Sequence, residues 1–291
     1  SNWLGGYEET LLALARGMDF SKCKPGKKSA AVIGYMFDRG EGDHAGNLME
    51  LNRIFDSLGV KIETVWLSGQ NYEDLLKVKK AGTIISLPYG RKAAKYIADK
   101  MKVPLIETCL PFGFEASGKF IRDAAAAFGK EKKAESLINR ELSEAVPKLE
   151  WVVPFAFQNS RVGFIGDPNH LDGFLDIAGM LGSRVGFAML TADRGHYENG
   201  SANLPENVVF EPGVQTLLRN VGREISENGV DLVVASDVST KLGNTALMEF
   251  GFPSYFSHRF VNRPFLFHKG CLAFVESMYN SIRQFELHNL M

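Results

Sequence analysis

Short apolar segments alternate with amphipathic segments along most of the chain. The apolar run 31–33 is followed by Gly34, a polar loop and a helical pattern that ends at Leu58. The same order recurs later, where the apolar run 162–165 is followed by Gly166, a shorter loop and a second helical pattern. This repetition of a strand, a glycine and a helix predicts two halves of similar architecture.

The remaining apolar and amphipathic segments continue this alternation. In the first half the pattern predicts strands over 60–67, 82–86 and 103–108 and helices over 72–78, 91–101, 119–128 and 131–144. In the second half it predicts strands over 183–190, 208–210 and 231–236 and helices over 214–228, 245–250 and 272–285. Short, continuously apolar strands between helices are typical of parallel sheets covered on both faces.

The sequence therefore predicts an α/β protein with two Rossmann-like, doubly wound parallel-sheet domains that face a central cleft. The first domain is predicted over 3–145, including a connecting helix, and the second over 146–291. The C-terminal helix is expected to pack back on the first domain.

Composition narrows the classes of partner. Lysine and arginine number 33 against 34 acidic residues, a net charge of −1, which provides no general attraction to nucleic acid or to an anionic membrane. No apolar run approaches the ~20 residues that span a bilayer. Three widely separated cysteines, Cys23, Cys109 and Cys271, form no CxxC pair, which disfavours a zinc ribbon or a self-contained ferredoxin-type cluster. We expect reduced thiols and a cytoplasmic protein without a nucleic-acid or membrane partner.

The turn GDPN at 166–169 has two interpretations. Backbone N–H groups at the start of the following helix could hold an anion. Alternatively, Asp167 or Asn169 caps that helix beside a proline. The turn lacks the glycine pattern of a phosphate loop, and an acidic residue would repel phosphate. The cap is therefore the favoured interpretation.

The stretch DRGEGDH at 38–44 groups Asp38, Glu41, Asp43 and His44. Their oxygens could form a hard-metal site, but the spacing matches no calcium loop. A solvated loop, with Asp43 as a helix cap, is favoured.

Two strand ends in the first half carry candidate ligand-binding residues. Ser86 and Arg91 follow one predicted strand, at the carboxyl edge where ligands bind in such sheets. Arg91 could clamp a carboxylate or phosphate, or it could be a surface residue on the first helical turn. Cys109 follows the next strand, and a small buried residue is favoured there over a nucleophile because no feature indicates thiolate activation.

The segment 250–271 combines aromatic residues with histidine, arginine and lysine, and it includes Tyr255, Phe256 and His258. A loop of this length and composition is typical of a functional segment or of one packed over a cleft. It could contact a flat conjugated ligand or a metal cluster, or it could close one domain on the other.

Several segments, in order, resemble the nitrogenase component 1-like family. This family comprises the molybdenum–iron protein subunits, their cofactor-assembly scaffolds and the dark-operative protochlorophyllide and chlorophyllide reductases. The matching segments are GNLMELNRIFDSLGVKIETVWLSGQNYEDL (46–75), AGTIIS (81–86), VPLIETCLPFGFEASGKFIRDAAAAFGK (103–130), RVGFIGDP (161–168), DLVVASD (231–237) and GFPSYFSHRFVNRP (251–264). The GDP turn and the last segment are more similar to β-type than to α-type subunits.

The resemblance implies that these residues are a portion of an oxidoreductase subunit and that this portion does not include the family's N-terminal cluster domain. The portion is expected to be inactive by itself. An iron–sulfur cluster is expected in that domain, and the partners are expected to be a homologous subunit, in a homo- or hetero-oligomer, and an ATP-dependent iron–sulfur reductase. The cysteine that holds the nitrogenase cofactor corresponds to Ser86, and the histidine to His258. Since a hydroxyl is a poor iron ligand, His258 is left as the candidate metal ligand. Cofactor contacts are expected from His258, Ser86, Arg91 and Cys109.

Three functional hypotheses follow. The first is the oxidoreductase subunit, whose cleft holds a substrate, a metal cluster or a tetrapyrrole. The second is a non-catalytic binding module for a metal chelate or tetrapyrrole, favoured by the absence of an acid–base pair in the sequence. The third and weaker hypothesis is a two-domain glycosyltransferase, which rests on the paired-domain layout alone.

Overall fold

Two parallel β-sheets form the framework of the protein. The structure, a computed structural model, describes residues 3–36, 40–198, 204–205, 207–236, 244–252 and 257–289. The first sheet has the order β2-β1-β3-β4 and the second the order β7-β6-β5-β8-β9. The strands are β1 Gly26–Ile33, β2 Lys61–Val65, β3 Ala81–Ser86, β4 Leu105–Glu107, β5 Arg161–Gly166, β6 Arg184–Leu190, β7 Val208–Phe210, β8 Leu232–Ala235 and β9 Ala246–Glu249. All described pairings are parallel, which confirms the predicted fold class.

Helices connect and cover these strands. They are α1 Trp3–Arg16, α2 Gly42–Leu58, α3 Tyr72–Leu75, α4 Arg91–Met101, α5 Phe114–Ala126, α6 Glu131–Glu150, α7 Pro168–Met180, α8 Val214–Asn228 and α9 Phe267–Asn289. In each sheet the strand order reverses beside the first strand, between β1 and β3 and between β5 and β8. The crevice outside the carboxyl ends of the strands at such a reversal is the usual ligand site of doubly wound folds.

The hydrophobic core follows the two-residue alternation of the strands. In β1, Ala30 and Val32 face one apolar cluster, whereas Ala31 and Ile33 face another. In β5, Phe164 faces the same cluster as Val32, so one continuous core joins the two sheets. The outer face of each sheet has its own separate cluster.

The C-terminal helix α9 contacts both halves of the chain. It packs on α2, α5 and α6 of the first half and on β8 and β9 of the second. The predicted division at 145/146 lies within α6, which runs to Glu150, so the domain boundary stays a prediction.

A buried ionic network joins α2, α6 and α9. The Arg53 guanidinium donates to Glu50, with Nη2–Oε2 at 2.6 Å, and also to Glu141. The second carboxylate oxygen of Glu141 lies 2.8 Å from Nδ1 of His268, whose side chain is 1% exposed. Burial tends to raise the pKa of Glu141, but the hydrogen bonds from His268 and Arg53 outweigh it and hold the pKa below its usual value. The network therefore keeps a charged carboxylate inside the core.

The two halves also meet at the start of α5. Oδ2 of Asp176, on α7, accepts a hydrogen bond of 3.0 Å from the backbone N–H of Glu115. A carboxylate from the second half therefore satisfies a free donor at a helix N-terminus of the first half. Burial raises the pKa of Asp176 above its usual value.

The observed elements agree with most of the predicted ones and correct two of them. The bounds of α4 and α8 match the predictions. The prediction of a helix over 245–250 is wrong, because these residues contribute β9, which pairs with β8. The C-terminal helix begins at Phe267 rather than at residue 272, so the irregular segment is shorter than predicted. Among the described residues, no helix combines the length and hydropathy that crossing a membrane requires.

Candidate functional site

A cavity lies beyond the carboxyl ends of strands from both sheets. Tyr35 follows β1, Tyr89 follows β3, Phe250 follows β9, and His170 belongs to the first turn of α7. The segment 257–266, called the wall segment below, contributes Ser257, Arg259 and residues 263–266, and α9 contributes Ala273, Phe274 and Ser277. The cavity offers about 70 Å³ to the centres of water-sized spheres. It occupies the position that the parallel architecture favours for a ligand.

Gly34 allows the chain to turn into this cavity directly after β1. Its φ is +89°, and a Cβ there would lie 2.3 Å from the backbone nitrogen of Gly90. A side chain at either glycine would therefore push the segments after β1 and β3 apart. This close approach brings both Tyr35 and Tyr89 to the cavity wall.

Aromatic rings form one side of the cavity. The ring of Phe250 lies 4.8 Å from that of Phe274, 5.2 Å from that of Phe265 and 5.2 Å from that of His170. Phe112 stacks on Phe250 at 5.2 Å from behind. These edge-to-face and stacked pairs hold each other in place and make this wall apolar and rigid.

A hydrogen-bonded group fixes another part of the wall, where the ring of His44 lies 5.7 Å from that of Phe265. The Tyr35 hydroxyl lies 2.8 Å from Nδ1 of His44 and accepts a bond of 3.2 Å from Asn47. The carbonyl oxygen of the Asn47 side chain accepts from the backbone N–H groups of Phe265 and Leu266 at 2.9 and 3.0 Å. Asn47 therefore fastens the wall segment to α2.

This group corrects the interpretation of DRGEGDH as a solvated loop. His44 is 5% exposed and belongs to the cavity wall. Asp43 lies within the first turn of α2 and not at its cap, and its carboxylate accepts from the N–H of His44 at 2.9 Å. Asp38 lies outside the described residues.

The GDPN turn caps α7, as predicted, and also joins the two halves. Oδ1 of Asp167 accepts from the N–H of Asn169 at 2.8 Å, which satisfies a free donor at the helix start. Oδ2 accepts from the hydroxyl of Tyr89 at 2.7 Å. Burial, and then the neighbouring Asp167 carboxylate, raise the pKa of Tyr89 well above its usual value, so this hydroxyl stays a donor.

Arg91 bonds to protein groups on three sides. Its guanidinium donates to the carbonyl oxygen of Ser86, to that of Thr108 at 2.8 Å, and to the Glu198 carboxylate at 2.6 Å. It thereby holds the ends of β3 and β4 together and links them to the second half. Ser86 itself is fully buried.

Cys109 is buried beside this group, and its thiol contacts the carbonyl oxygen of Ala116 at 3.5 Å. Burial raises the pKa of the Cys109 thiol, which favours the interpretation as a small buried residue over that of a nucleophile.

His258 lies apart from the other three predicted site residues. Its Nδ1 is 2.7 Å from Oε1 of Glu41, next to the start of α2, and its side chain is 58% exposed. The structure brings together Ser86, Arg91 and the backbone beside Cys109, but it does not place His258 with them. None of these four residues belongs to the cavity wall. Tyr255 and Phe256 of the same segment lie outside the described residues.

The donors present do not suit an iron–sulfur cluster. Cys23 is half-buried, Cys109 and Cys271 are buried, and burial raises the pKa of Cys271 to about 12. Over the ranges that the structure describes, no three histidine, cysteine or acidic side chains are grouped so that they could hold a metal ion. A cluster thiolate needs a lowered pKa and neighbouring ligands, and these residues provide neither.

Comparison with known proteins identifies the family. The sequence profile described as "Nitrogenase component 1 type Oxidoreductase" matches residues 1–283. The chain belongs to this family. The predicted resemblance is therefore confirmed.

Curated relatives within the family match over part of the chain. This chain is 27% identical over 124 residues to the nitrogenase iron-iron protein alpha chain of Rhodobacter capsulatus. The matched residues are 41% of this chain and 22% of that protein. This chain is 27% identical over 116 residues to the nitrogenase molybdenum-iron protein alpha chain of Methanococcus maripaludis, or 38% and 24% of the two chains. The matched parts therefore span less than a quarter of these relatives. Both are α chains, and the predicted likeness to β-type subunits stays a prediction.

A solved structure titled "Nitrogenase Cp1 at pH 6.5" has the same fold over almost the whole chain. The TM-score is 0.74 at 20% identity, and the match covers 97% of this chain and 65% of that one. This component 1 family chain thus matches about two thirds of a nitrogenase chain in three dimensions.

The predicted cofactor contacts include none of the residues that line the cavity, although two stretches singled out in the sequence, 38–44 and 250–271, contain several of them. Tyr35 follows Gly34 directly, so its position at the end of β1 was a usable signal. His170 follows the GDPN turn, and His44 lies in a stretch that looks solvated because its neighbours are charged. Arg259, next to His258, also belongs to the wall.

Proposed function

We propose that this chain is the portion of a nitrogenase component 1-like oxidoreductase subunit that lines a substrate or cofactor cleft. The cavity at the carboxyl ends of both sheets is the observation that supports this proposal. Its wall is mostly apolar and aromatic with a small number of polar groups, which is typical of a small-molecule site. Ser86, Arg91 and Cys109 would support the strand ends at which the cleft opens, and the exposed His258 stays the predicted metal ligand.

The redox centre of such a subunit would lie outside the described residues, because their donors do not suit a cluster. An ATP-dependent iron–sulfur reductase would supply the electrons, and a homologous subunit would complete the oligomer. The role of this portion is then to bind the molecule that is reduced, to orient it against the aromatic wall and to exclude water from it.

Anaerobic purification of the natural protein tests this proposal. We expect iron and acid-labile sulfide in the purified protein, and an electron paramagnetic resonance signal that changes only when reductase, dithionite and magnesium ATP are all present. A preparation without ATP, and one with a reductase that cannot hydrolyse ATP, are the controls. A protein free of iron and unaffected by the reductase would contradict the oxidoreductase assignment.

A second candidate is a binding module for a metal chelate or tetrapyrrole, without chemistry. The observation in its favour is that two histidines, His44 and His170, belong to the wall of an aromatic cavity. Titration with haemin would then shift the Soret band and raise the melting temperature, and H170A would abolish both effects. An unchanged spectrum and an unchanged melting temperature would eliminate this candidate.

A further inference from the structure

The cavity wall contains one arginine, Arg259, that makes no ion pair with any residue that the structure describes. The backbone of Arg259 is fixed at both ends, since its N–H donates to Glu41 at 2.7 Å and its carbonyl oxygen accepts from Gly42 at 2.7 Å. No residue in the described part of the chain pairs with its guanidinium, although Arg259 is half-buried. An arginine that lines a cavity and has no counterion among the described residues can pair with an anionic ligand.

The neighbouring arginine in the wall is different. Arg263 pairs with the Glu276 carboxylate at 2.7 Å and donates to the carbonyl oxygen of Ala273 at 3.2 Å. Its guanidinium therefore stabilises the contact between the wall segment and α9. Among the described residues of the wall, Arg259 is the cation that is left for a ligand.

The other charged or titratable groups of the wall are Tyr35, Asp43, His44, Tyr89, His170 and Glu249. Asp43 accepts from the backbone of His44, and His44 in turn bonds to the Tyr35 hydroxyl. The wall has two acids and two arginines, but Arg263 is already paired with Glu276, so among the described residues one open cation lies in the same wall as the two acids. A ligand with several negative groups would meet them, so the wall favours a ligand with a single anionic group.

The apolar side sets the body of the ligand. The rings of Phe250, Phe265 and Phe274 line a cavity that offers about 70 Å³ to the centres of water-sized spheres. A cavity with so little room for water centres admits only a small ligand body.

We propose that the cavity binds a small organic carboxylate with an apolar or aromatic body, whose carboxylate pairs with the guanidinium of Arg259. A guanidinium and a carboxylate can form two parallel hydrogen bonds, which an ammonium group cannot reproduce. The inference rests on the proposed function in that it takes this cavity as the ligand site, and it names the chemical class of the ligand. Arg259 is then the residue that determines specificity for the carboxylate.

Fluorine NMR with a matched pair of probes tests this. The probes are 4-(trifluoromethyl)benzoate and the neutral 4-(trifluoromethyl)benzamide, added to the chain without reductase or ATP. We expect the benzoate to bind the wild-type protein and the benzamide to bind at least about tenfold more weakly. R259Q should weaken benzoate binding by about tenfold or more, R259K should restore it only in part, and neither should change benzamide binding.

R219Q is the control, because Arg219 is exposed on α8, away from the cavity, and the substitution should leave benzoate binding unchanged. Equal binding of benzoate by wild type and R259Q, equal binding of the two probes by wild type, or no binding of either would overturn the inference. The test is separate from that of the proposed function. If benzoate binding depends on Arg259 but the protein has no redox activity, only the oxidoreductase assignment is contradicted. If the protein has redox activity but Arg259 plays no role in benzoate binding, only this inference is contradicted.

Discussion

The contact between α7 and the loop before α5 depends on the absence of a side chain at Gly173. A Cβ at this position would lie 2.0 Å from the carbonyl oxygen of Phe112 and 2.6 Å from its carbonyl carbon. Gly113 also approaches closely, since a Cβ there would lie 2.7 Å from Cα of Gly173. Both obstacles are backbone atoms, so no side chain can rotate away. The substitution Gly173→Ala therefore forces the two halves apart, until the contact lengthens from 2.0 Å to about 3.4 Å.

A second glycine in α7 provides the matched control. No atom lies within 4 Å of a Cβ at Gly179, so Gly179→Ala adds only helix propensity and should stabilise the protein by about 0.5–1 kcal/mol. Gly173→Ala has the same gain in helix propensity, but it also overpacks the contact, which typically costs about 1–3 kcal/mol of stability. We expect a cost at the upper end of this range because the backbone atoms at the contact cannot move aside. The propensity gain cancels between the two variants. We expect Gly173→Ala to be less stable than Gly179→Ala by about 3 kcal/mol.

Equilibrium unfolding in urea, followed by tryptophan fluorescence and by circular dichroism, measures this difference. The two midpoints should move in opposite directions from that of the wild type while the slope with denaturant stays constant. Equal midpoints for the two variants would refute the reasoning, because they would show that the halves do not meet at Gly173.

Three further predictions concern buried polar groups. Glu141→Ala removes the centre of the buried ionic network and should lower the free energy of unfolding by about 3–5 kcal/mol. Glu135→Ala, in an exposed ion pair on the same helix, should lower it by less than about 1 kcal/mol. Urea unfolding compares the two variants, and equal losses of stability would contradict burial as the cause. Because the pKa of Asp176 is raised in the folded state, the stability of the wild type relative to D176N should be greatest below about pH 4 and should fall as the pH rises towards neutral. Unfolding of both proteins at a series of pH values measures this difference, and a difference that does not change with pH would contradict the prediction. Tyr89→Phe leaves the buried Asp167 carboxylate without its hydroxyl donor and should cost about 1–3 kcal/mol, measured by thermal unfolding, with Tyr72→Phe on the surface as a neutral control.

The sequence predicted the strands and helices well where one local pattern dominates. The helix over 91–101 is strongly amphipathic, and its bounds agree with those of α4. The strand β3 is a short apolar run between polar segments, which is the signal of a buried parallel strand. Local patterns of this kind need no information about distant residues.

The prediction failed where a distant partner overrides local propensity. Residues 246–249 read ALME, and all four residue types favour helices, yet they form β9 because β8 offers a free edge beside them. His44 looks solvated among Glu41 and Asp43, but Tyr35 buries it. Neither β8 nor Tyr35 is adjacent in sequence to the residues whose environment it decides.

The sequence alone therefore determined that this protein is a two-sheet α/β protein and which family it belongs to, because apolar periodicity and ordered motifs are properties of the chain itself. Only the tertiary structure decided that the side chains around the cavity are Tyr35, His44, His170 and Arg259. It also decided that Arg91 links the ends of β3 and β4, and that His258 lies apart from Ser86, Arg91 and Cys109. The physical reason is that a cavity forms from side chains distant in sequence, and whether a charged group is paired depends on neighbours that only folding brings together.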